Sequence, residues 1–261
     1  MRKQAYALHN RKRGESMRKN IMNSYAKGVA LIILDKYEEA LENLDIAIQN
    51  QPDYADAWSM RALALIMTEK YEEALYAYEK VTQLRPDDSD SWREHGEVLE
   101  VLGNYEKALQ SYEKAIKLSP EDARSWRDKG SALIILGEYE KAINCLDKAI
   151  EINPDFEKAW EDRGWAYDLM GKYDEALENY DKATELDPDY GIAWKDKGLM
   201  LDTLGRYEEA IESFDKAIEL LPDDAEAWHN RGLVLGTLGK NKEALDSLDM
   251  ADKLKQSQGN A

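Results

Sequence analysis

Residues 157–190 read EKAWEDRGWAYDLMGKYDEALENYDKATELDPDY, and most landmarks in this stretch recur along the 261-residue chain at one interval. The six prolines, Pro52, Pro86, Pro120, Pro154, Pro188 and Pro222, each stand 34 residues from the next. Six of the seven tryptophans, Trp58, Trp92, Trp126, Trp160, Trp194 and Trp228, obey the same spacing, as do Gly96, Gly130, Gly164, Gly198 and Gly232. A period of this length marks a stack of supersecondary units. Starting it at Ile21 gives seven copies, 21–54, 55–88, 89–122, 123–156, 157–190, 191–224 and 225–258. What remains is a leader, 1–20, and a short tail, 259–261. Within a copy, apolar and small residues recur at helical spacing on both sides of the glycine at Gly171, which predicts two helices and a turn. The proline fits the first turn of the next helix, where its missing N–H costs nothing.

Bulk composition agrees with a folded chain. Apolar residues make up 43% and charged residues 34%, too much apolar material for disorder. There is no run of eighteen apolar residues and no apolar stretch near the amino terminus, so neither a membrane span nor a secretion signal is expected, and a cytoplasmic location is. Cys145 and the histidines His9, His95 and His229 fall in no metal-ligand spacing, and no cofactor is expected. The net charge of −18 is uneven: residues 1–20 hold seven Lys/Arg against Glu15, a net of +6, and the rest carries −24. Such a body repels phosphate backbones, which disfavours nucleic acid and leaves Arg11-Lys12-Arg13 as the single basic run.

The copies resemble the tetratricopeptide repeat family over residues 21–258. In the fifth copy the motif residues are Trp160, Gly164, Tyr167, Gly171, Tyr173, Ala176, Tyr180, Ala183 and Pro188. The terminal copies depart from it: Ser24 replaces Trp, Asn241 replaces Tyr and Gln256 replaces Pro, as end copies with one wet side allow. The resemblance implies an all-α fold, a right-handed superhelical solenoid of stacked antiparallel helix pairs whose first helices line a concave groove. It also implies a non-catalytic scaffold that binds a peptide or helix of a partner protein. The last second helix has no successor to cover Leu248, Met250 and Leu254, so an alternative is self-assembly into a homo-oligomer through the C-terminal repeat.

Places two, five, six, nine and twelve of each copy share one face of the first helix, the face implied to line the groove. The sixth place holds Glu94, Asp128, Asp162, Asp196 and Asn230, a ladder that suits backbone N–H groups or basic side chains. These acids could instead pair at i, i+4 on their own helices, Arg124 with Asp128 and Lys158 with Asp162. Arg93, Arg124, Arg127 and Lys158 could form a basic cluster in the middle copies, while Lys195 stands further on. The ninth and twelfth places bring Glu97, Trp165, Leu199, Ile134, Asp168 and Asp202, and no Asn, so the family's clamp for chaperone tails is not expected. Trp165, the tryptophan outside the period, is either a binding anchor in a polar groove or filler beside Ser131 or Gly191. The seventh place, with Arg61, Arg163, Lys197 and Arg231 among its members, reads as a stripe whose stems pack on Trp and whose heads reach water. No catalysis is expected, because ladder acids on neighbouring copies, separated by helix packing of about 8–10 Å, cannot share a proton.

Overall fold

The computed structural model describes residues 2–258, with side chains for 17–257; the tail 259–261 lies outside the described residues. The helices divide into two compact units at Glu121 and Asp122. The first holds α1 (Arg2–Ile33), α2 (Tyr37–Asn50), α3 (Ala55–Met67), α4 (Tyr71–Leu84), α5 (Ser89–Val101) and α6 (Tyr105–Leu118). The second holds α7 (Ala123–Ile135), α8 (Tyr139–Ile152), α9 (Glu157–Leu169), α10 (Tyr173–Leu186), α11 (Gly191–Thr203), α12 (Tyr207–Leu220), α13 (Ala225–Thr237) and α14 (Asn241–Gln258). Within each unit every odd-numbered helix packs most extensively on the helix that follows it, and the pairs stack: α2 meets α3, α4 meets α5, α8 meets α9, α10 meets α11 and α12 meets α13. The fold is all-α among the described residues. The basic leader is part of it, because α1 runs without a break from Arg2 into the first copy.

Small residues set the distance between the helices of a pair. A Cβ on Gly164 of α9 would stand 2.8 Å from Cε1 of Tyr180 on α10, and one on Gly198 of α11 would stand 2.7 Å from Cε1 of Phe214 on α12. Tyr180 and Phe214 are fully enclosed. They join Leu177, Met200, Leu201, Ile211, Val234 and Leu235 in a core that runs through α10 to α14.

The turn between paired helices needs a left-handed residue. Gly171 takes it with φ 72°, letting Lys172 N–H reach Tyr167 O at 2.9 Å and close the end of α9. In the first two copies the same place is filled by Asp35 (φ 55°) and Glu69 (φ 57°), which carry the steric cost of a Cβ there.

The prolines sit differently from the sequence expectation. Pro188 lies in the turn between α10 and α11, three residues ahead of the first helical residue, and not in the helix. Its carbonyl accepts the indole N–H of Trp194 at 2.9 Å. Trp58 binds Pro52, Trp92 binds Pro86, Trp160 binds Pro154 and Trp228 binds Pro222 in the same way. The periodic tryptophan therefore ties the inter-copy turn to the helix it introduces.

The seventh-place bases also reach further than expected. Arg61 pairs with Asp45 at 2.8 Å, Lys197 with Asp181 at 2.8 Å, Arg231 with Asp215 at 2.5 Å, and Arg163 with Asp147. Each partner lies sixteen residues back, on the second helix of the preceding copy. Arg163 lies 4.4 Å from the ring centre of Trp160, and Lys197 lies 4.9 Å from that of Trp194. The heads thus bridge copies instead of ending in water.

On α14 the expected bare face is only partly bare. Leu248 is half-buried against Gly232 and Leu254 is half-buried, whereas Met250 is 40% exposed and Leu245, which the sequence reading passed over, is 62% exposed.

Two substitutions test these constraints. Gly164→Ala must displace a buried ring and is expected to lower stability by about 1–3 kcal/mol. Glu69→Gly removes a left-handed penalty of about 1–2 kcal/mol, partly offset by the freer unfolded chain, and should be stabilising. Urea unfolding measures both, and an unchanged midpoint for Gly164→Ala would mean that the α9–α10 contact is loose.

Candidate functional site

The first helices of the second unit present a charged face with a cavity in it. Asp162 on α9 is 3% exposed. The expected pairing with Lys158 on its own helix is not what holds it: Arg127 of α7 donates to it through Nε at 2.5 Å and Nη2 at 3.5 Å, and Lys158 is exposed. Arg127 Nη1 also reaches Asp128 at 3.3 Å. Burial works against the guanidinium charge, but Asp162, Asp128 and Glu161 outweigh it and hold the Arg127 pKa above its ordinary value. Burial raises the Asp162 carboxyl in turn, against the pull of Arg127.

Beside this pair lies Glu161, 9% exposed, which accepts a hydrogen bond from Tyr190 O–H at 3.1 Å. Burial first, and then Asp162 and Asp196, push Glu161 up to about 8. Burial also pushes Asp196 up to about 6, with Lys195 pulling the other way.

Glu161, Asp196, Trp165, Asp168, Tyr180, Leu199 and Met200 line a cavity of about 340 Å3, at the small end of the roughly 300–1,000 Å3 range of ligand pockets. Trp165 is half-buried in its wall. Asp168 stands at the rim with its pKa raised by burial. Tyr180, Met200 and Glu161 were not among the expected site residues. Tyr180 and Met200 read as packing residues in the period, and Tyr190 stands where Asp88, Asp122 and Asp224 cap helices in other copies. Tyr54 and Phe156 hold the same place ahead of α3 and α9, so an aromatic there did not single out this site.

The remaining expected residues divide. Lys195 of α11 turns to α13 and its approach, 2.8 Å from Glu226 and 3.4 Å from Asp224. Asp202 and Asn230 are half-buried on the same face, and burial raises Asp202. Ile134 is 2% exposed and belongs to the core, so it offers no binding surface. Arg124, at the start of α7, is exposed with Nε 3.4 Å from Asp122. Arg127 is committed to Asp162, and with Lys158 turned to solvent the basic residues of this unit do not converge on a common point.

In the first unit, Arg93 is 9% exposed and pairs with Glu97 on α5. Burial raises Glu94, with Arg93 pulling the other way. A cavity of about 280 Å3 lined by Met60, Leu63, Tyr78 and Glu94, among others, lies there, with Arg85 donating to Asp56 at 2.6 Å. It has no tryptophan wall.

Among the described residues no helix is long and apolar enough to cross a membrane, and no group of three His, Cys, Asp or Glu is placed to hold a metal ion. No curated protein matches the sequence. Solved structures do. A tetratricopeptide repeat protein from Parabacteroides merdae ATCC 43184 superposes with a TM-score of 0.75 over 90% of this chain and 93% of its own, at 18% identity. YrrB, described as a TPR protein with an unusual peptide-binding site, is 28% identical, with a TM-score of 0.52 over 71% of this chain and 96% of its own. MamA is also 28% identical, with a TM-score of 0.54 over 63% of this chain and 96% of its own. Models described as tetratricopeptide repeat match residues 25–89, 60–124, 111–144, 161–225 and 213–246, and one described as TPR repeat matches 130–171. Proteins of this class generally mediate protein–protein interactions and are generally non-enzymatic. The periodic small residues, the Trp–Pro ties and these matches agree: the chain belongs to the tetratricopeptide repeat family.

Proposed function

We propose that the chain is a non-catalytic scaffold that takes an extended or helical segment of a partner protein along its first-helix groove, with a basic side chain of that segment seated against Trp165. The observation that carries this reading is the composition of the 340 Å3 cavity. An aromatic wall beside Asp168 and Asp196 favours a cation through the ring face and through opposite charge. Its neighbouring bases are already engaged, Arg127 by Asp162 and Lys195 by Glu226. A large aromatic half-exposed in a polar groove is also the usual make-up of a binding hot spot. The likeness to YrrB, whose description includes a peptide-binding site, supports peptide recognition by this kind of chain.

The alternative, self-association through α14, draws on Leu245 and Met250, which are 62% and 40% exposed. Sedimentation velocity over a hundredfold concentration range separates the two. A monomer throughout removes self-association. A dimer abolished by Leu245→Glu establishes it.

For the scaffold reading, a displayed library of random decapeptides should yield binders to the full chain that are enriched in Lys or Arg. Trp165→Ala is expected to weaken them by about 2 kcal/mol or more, roughly thirtyfold. Asp168→Asn should weaken the basic peptides selectively. Binders without basic residues, or binders held equally by wild type and Trp165→Ala, would remove the reading.

A further inference from the structure

In the first unit, α4, α5 and α6 line a cavity of about 490 Å3, with Leu75, Trp92 and Leu99 as its apolar part and Lys107, Gln110 and Lys114 along one face of α6. It lies on the side of α5 that carries places four, seven and eleven, opposite the groove places two, five and nine. The sixth copy has the corresponding cavity, also about 490 Å3, and there Glu209, Glu212 and Glu219 stand with Trp194 in an acidic lining. Both bases of that lining are engaged, Lys197 by Asp181 at 2.8 Å and Lys216 by Glu219 at 2.6 Å.

Three exchanges on α6 remove these acids from the third copy. Lys107 stands where other copies have Glu39, Glu73, Glu175, Glu209 and Glu243, Gln110 where two have Glu178 and Glu212, and Lys117 where three have Glu151, Glu185 and Glu219. The last exchange strips Lys114 of its partner: Lys148, Lys182 and Lys216 each pair with the acid three residues on, and Lys114 meets Lys117 there. Among the described residues neither Lys107 nor Lys114 is in an ion pair, and Lys114 Nζ lies 6.0 Å from the ring centre of Trp92. His95 differs as well, since every other copy has Lys or Arg at its place. Ser111 gives its one hydrogen to Lys107 O at 3.2 Å, so its oxygen accepts from His95 Nδ1–H at 2.9 Å and leaves Nε2 as an acceptor. Burial lowers the His95 pKa, against the pull of Glu79, and the ring is neutral at pH 7.

We propose that this cavity is a second docking site, for an acidic extended segment of a partner protein, with two carboxylates on Lys107 and Lys114 and an apolar residue between them on Trp92. The two lysines are seven residues apart, about 10.5 Å along the helix. In a polyproline II segment residues three apart share a face and stand about 9.3 Å from each other, so carboxylates at that spacing reach both lysines. The backbone N–H groups of the segment have an acceptor in His95 Nε2, whereas Lys or Arg at that place offers only donors. Glu79 of α4 is the one acid in the lining, and it repels carboxylates from its own wall toward α6. Charge also sets the class of partner. A chain of net charge −18 repels a long phosphate backbone, while two carboxylates over two lysines meet a local match.

The test follows the Trp92 indole N–H signal of the full-length chain as a capped decapeptide is added, with Glu-Pro-Pro-Glu at its centre and Gly and Ser around it. A saturable shift is expected, and the same peptide with Gln for Glu should give none. Lys107→Glu combined with Lys114→Glu should weaken binding about tenfold or more. Lys107 is exposed and Lys107→Glu installs the residue that five other copies carry, so that single variant decides if the double variant does not fold. The site does not rest on the groove reading: Trp165→Ala should bind the acidic peptide as wild type does, which keeps failure of one distinct from failure of the other. The proposal is overturned by the absence of a saturable shift at millimolar peptide, by equal binding of the Glu and Gln peptides, or by undiminished binding in the lysine variants. A single-stranded oligonucleotide that takes the site more tightly than the acidic peptide would overturn it in favour of nucleic acid.

Discussion

The structure depends on how closely two helices of a copy approach each other. Gly164 over Tyr180, Gly198 over Phe214, Gly130 over Leu146 and Gly96 over Tyr112 are one contact repeated, in which a large side chain lies against bare backbone. Protein interiors are close-packed, so this contact does not adjust continuously. It sets the rise from one copy to the next, and with it the distance between successive first helices. The Trp–Pro hydrogen bonds and the seventh-place bridges then hold the turns and second helices at that rise. None is strong singly: exposed ion pairs contribute about 0.2–1 kcal/mol, and cation–π contacts at exposed sites about 0.5–1 kcal/mol. They recur in most copies, and in a repeat array stability is a sum over neighbours.

That geometry gives an acidic chain a recurring electrostatic problem. A body carrying −24 places carboxylates on the inner face, where desolvation raises their cost. One solution is visible at Arg127, which crosses to the next copy and brackets Asp162. Another is Lys195, which crosses to Glu226. Copy five departs from the scheme, because the fifth place holds Glu161. The unmatched Trp165 belongs to the same copy. Two departures from the period thus meet in the lining of one cavity, which is where a repeat protein differs from its own consensus and where a specific role has room to develop.

Much of the fold was legible in the sequence because helix spans, turn glycines and packing glycines are local properties of the period. Pro188 stands three residues ahead of α11 and not in its first turn, since the breaker role and the first-turn role predict nearly the same pattern. The charge pairing was less legible. Asp162 has a base four residues before it on its own helix, Lys158, and another 35 residues before it, Arg127; helical spacing alone favours the first. What decides is burial: Asp162 is enclosed and Lys158 is not, so the planar guanidinium that can reach inward takes the acid. Ile134 was read as groove by its place in the period and lies in the core for a related reason, since a face assigned by 3.6-residue steps has a width and its margin is buried.

The fifth and sixth places also show why a one-residue exchange in a repeat protein carries more than its own charge. An ion pair between copies is symmetric in cost only if both members are present; removing the base leaves a buried acid uncompensated. Glu161 goes further, since it puts a second acid where the base belongs. The arrangement can persist in two ways: the acids stand apart, or a cation enters. Tight packing at Gly164 and Gly198 opposes the first, and the engaged state of Arg127 and Lys195 closes the second from within the chain. A cation supplied from outside, at the cavity that Trp165 walls, is the solution a partner would bring.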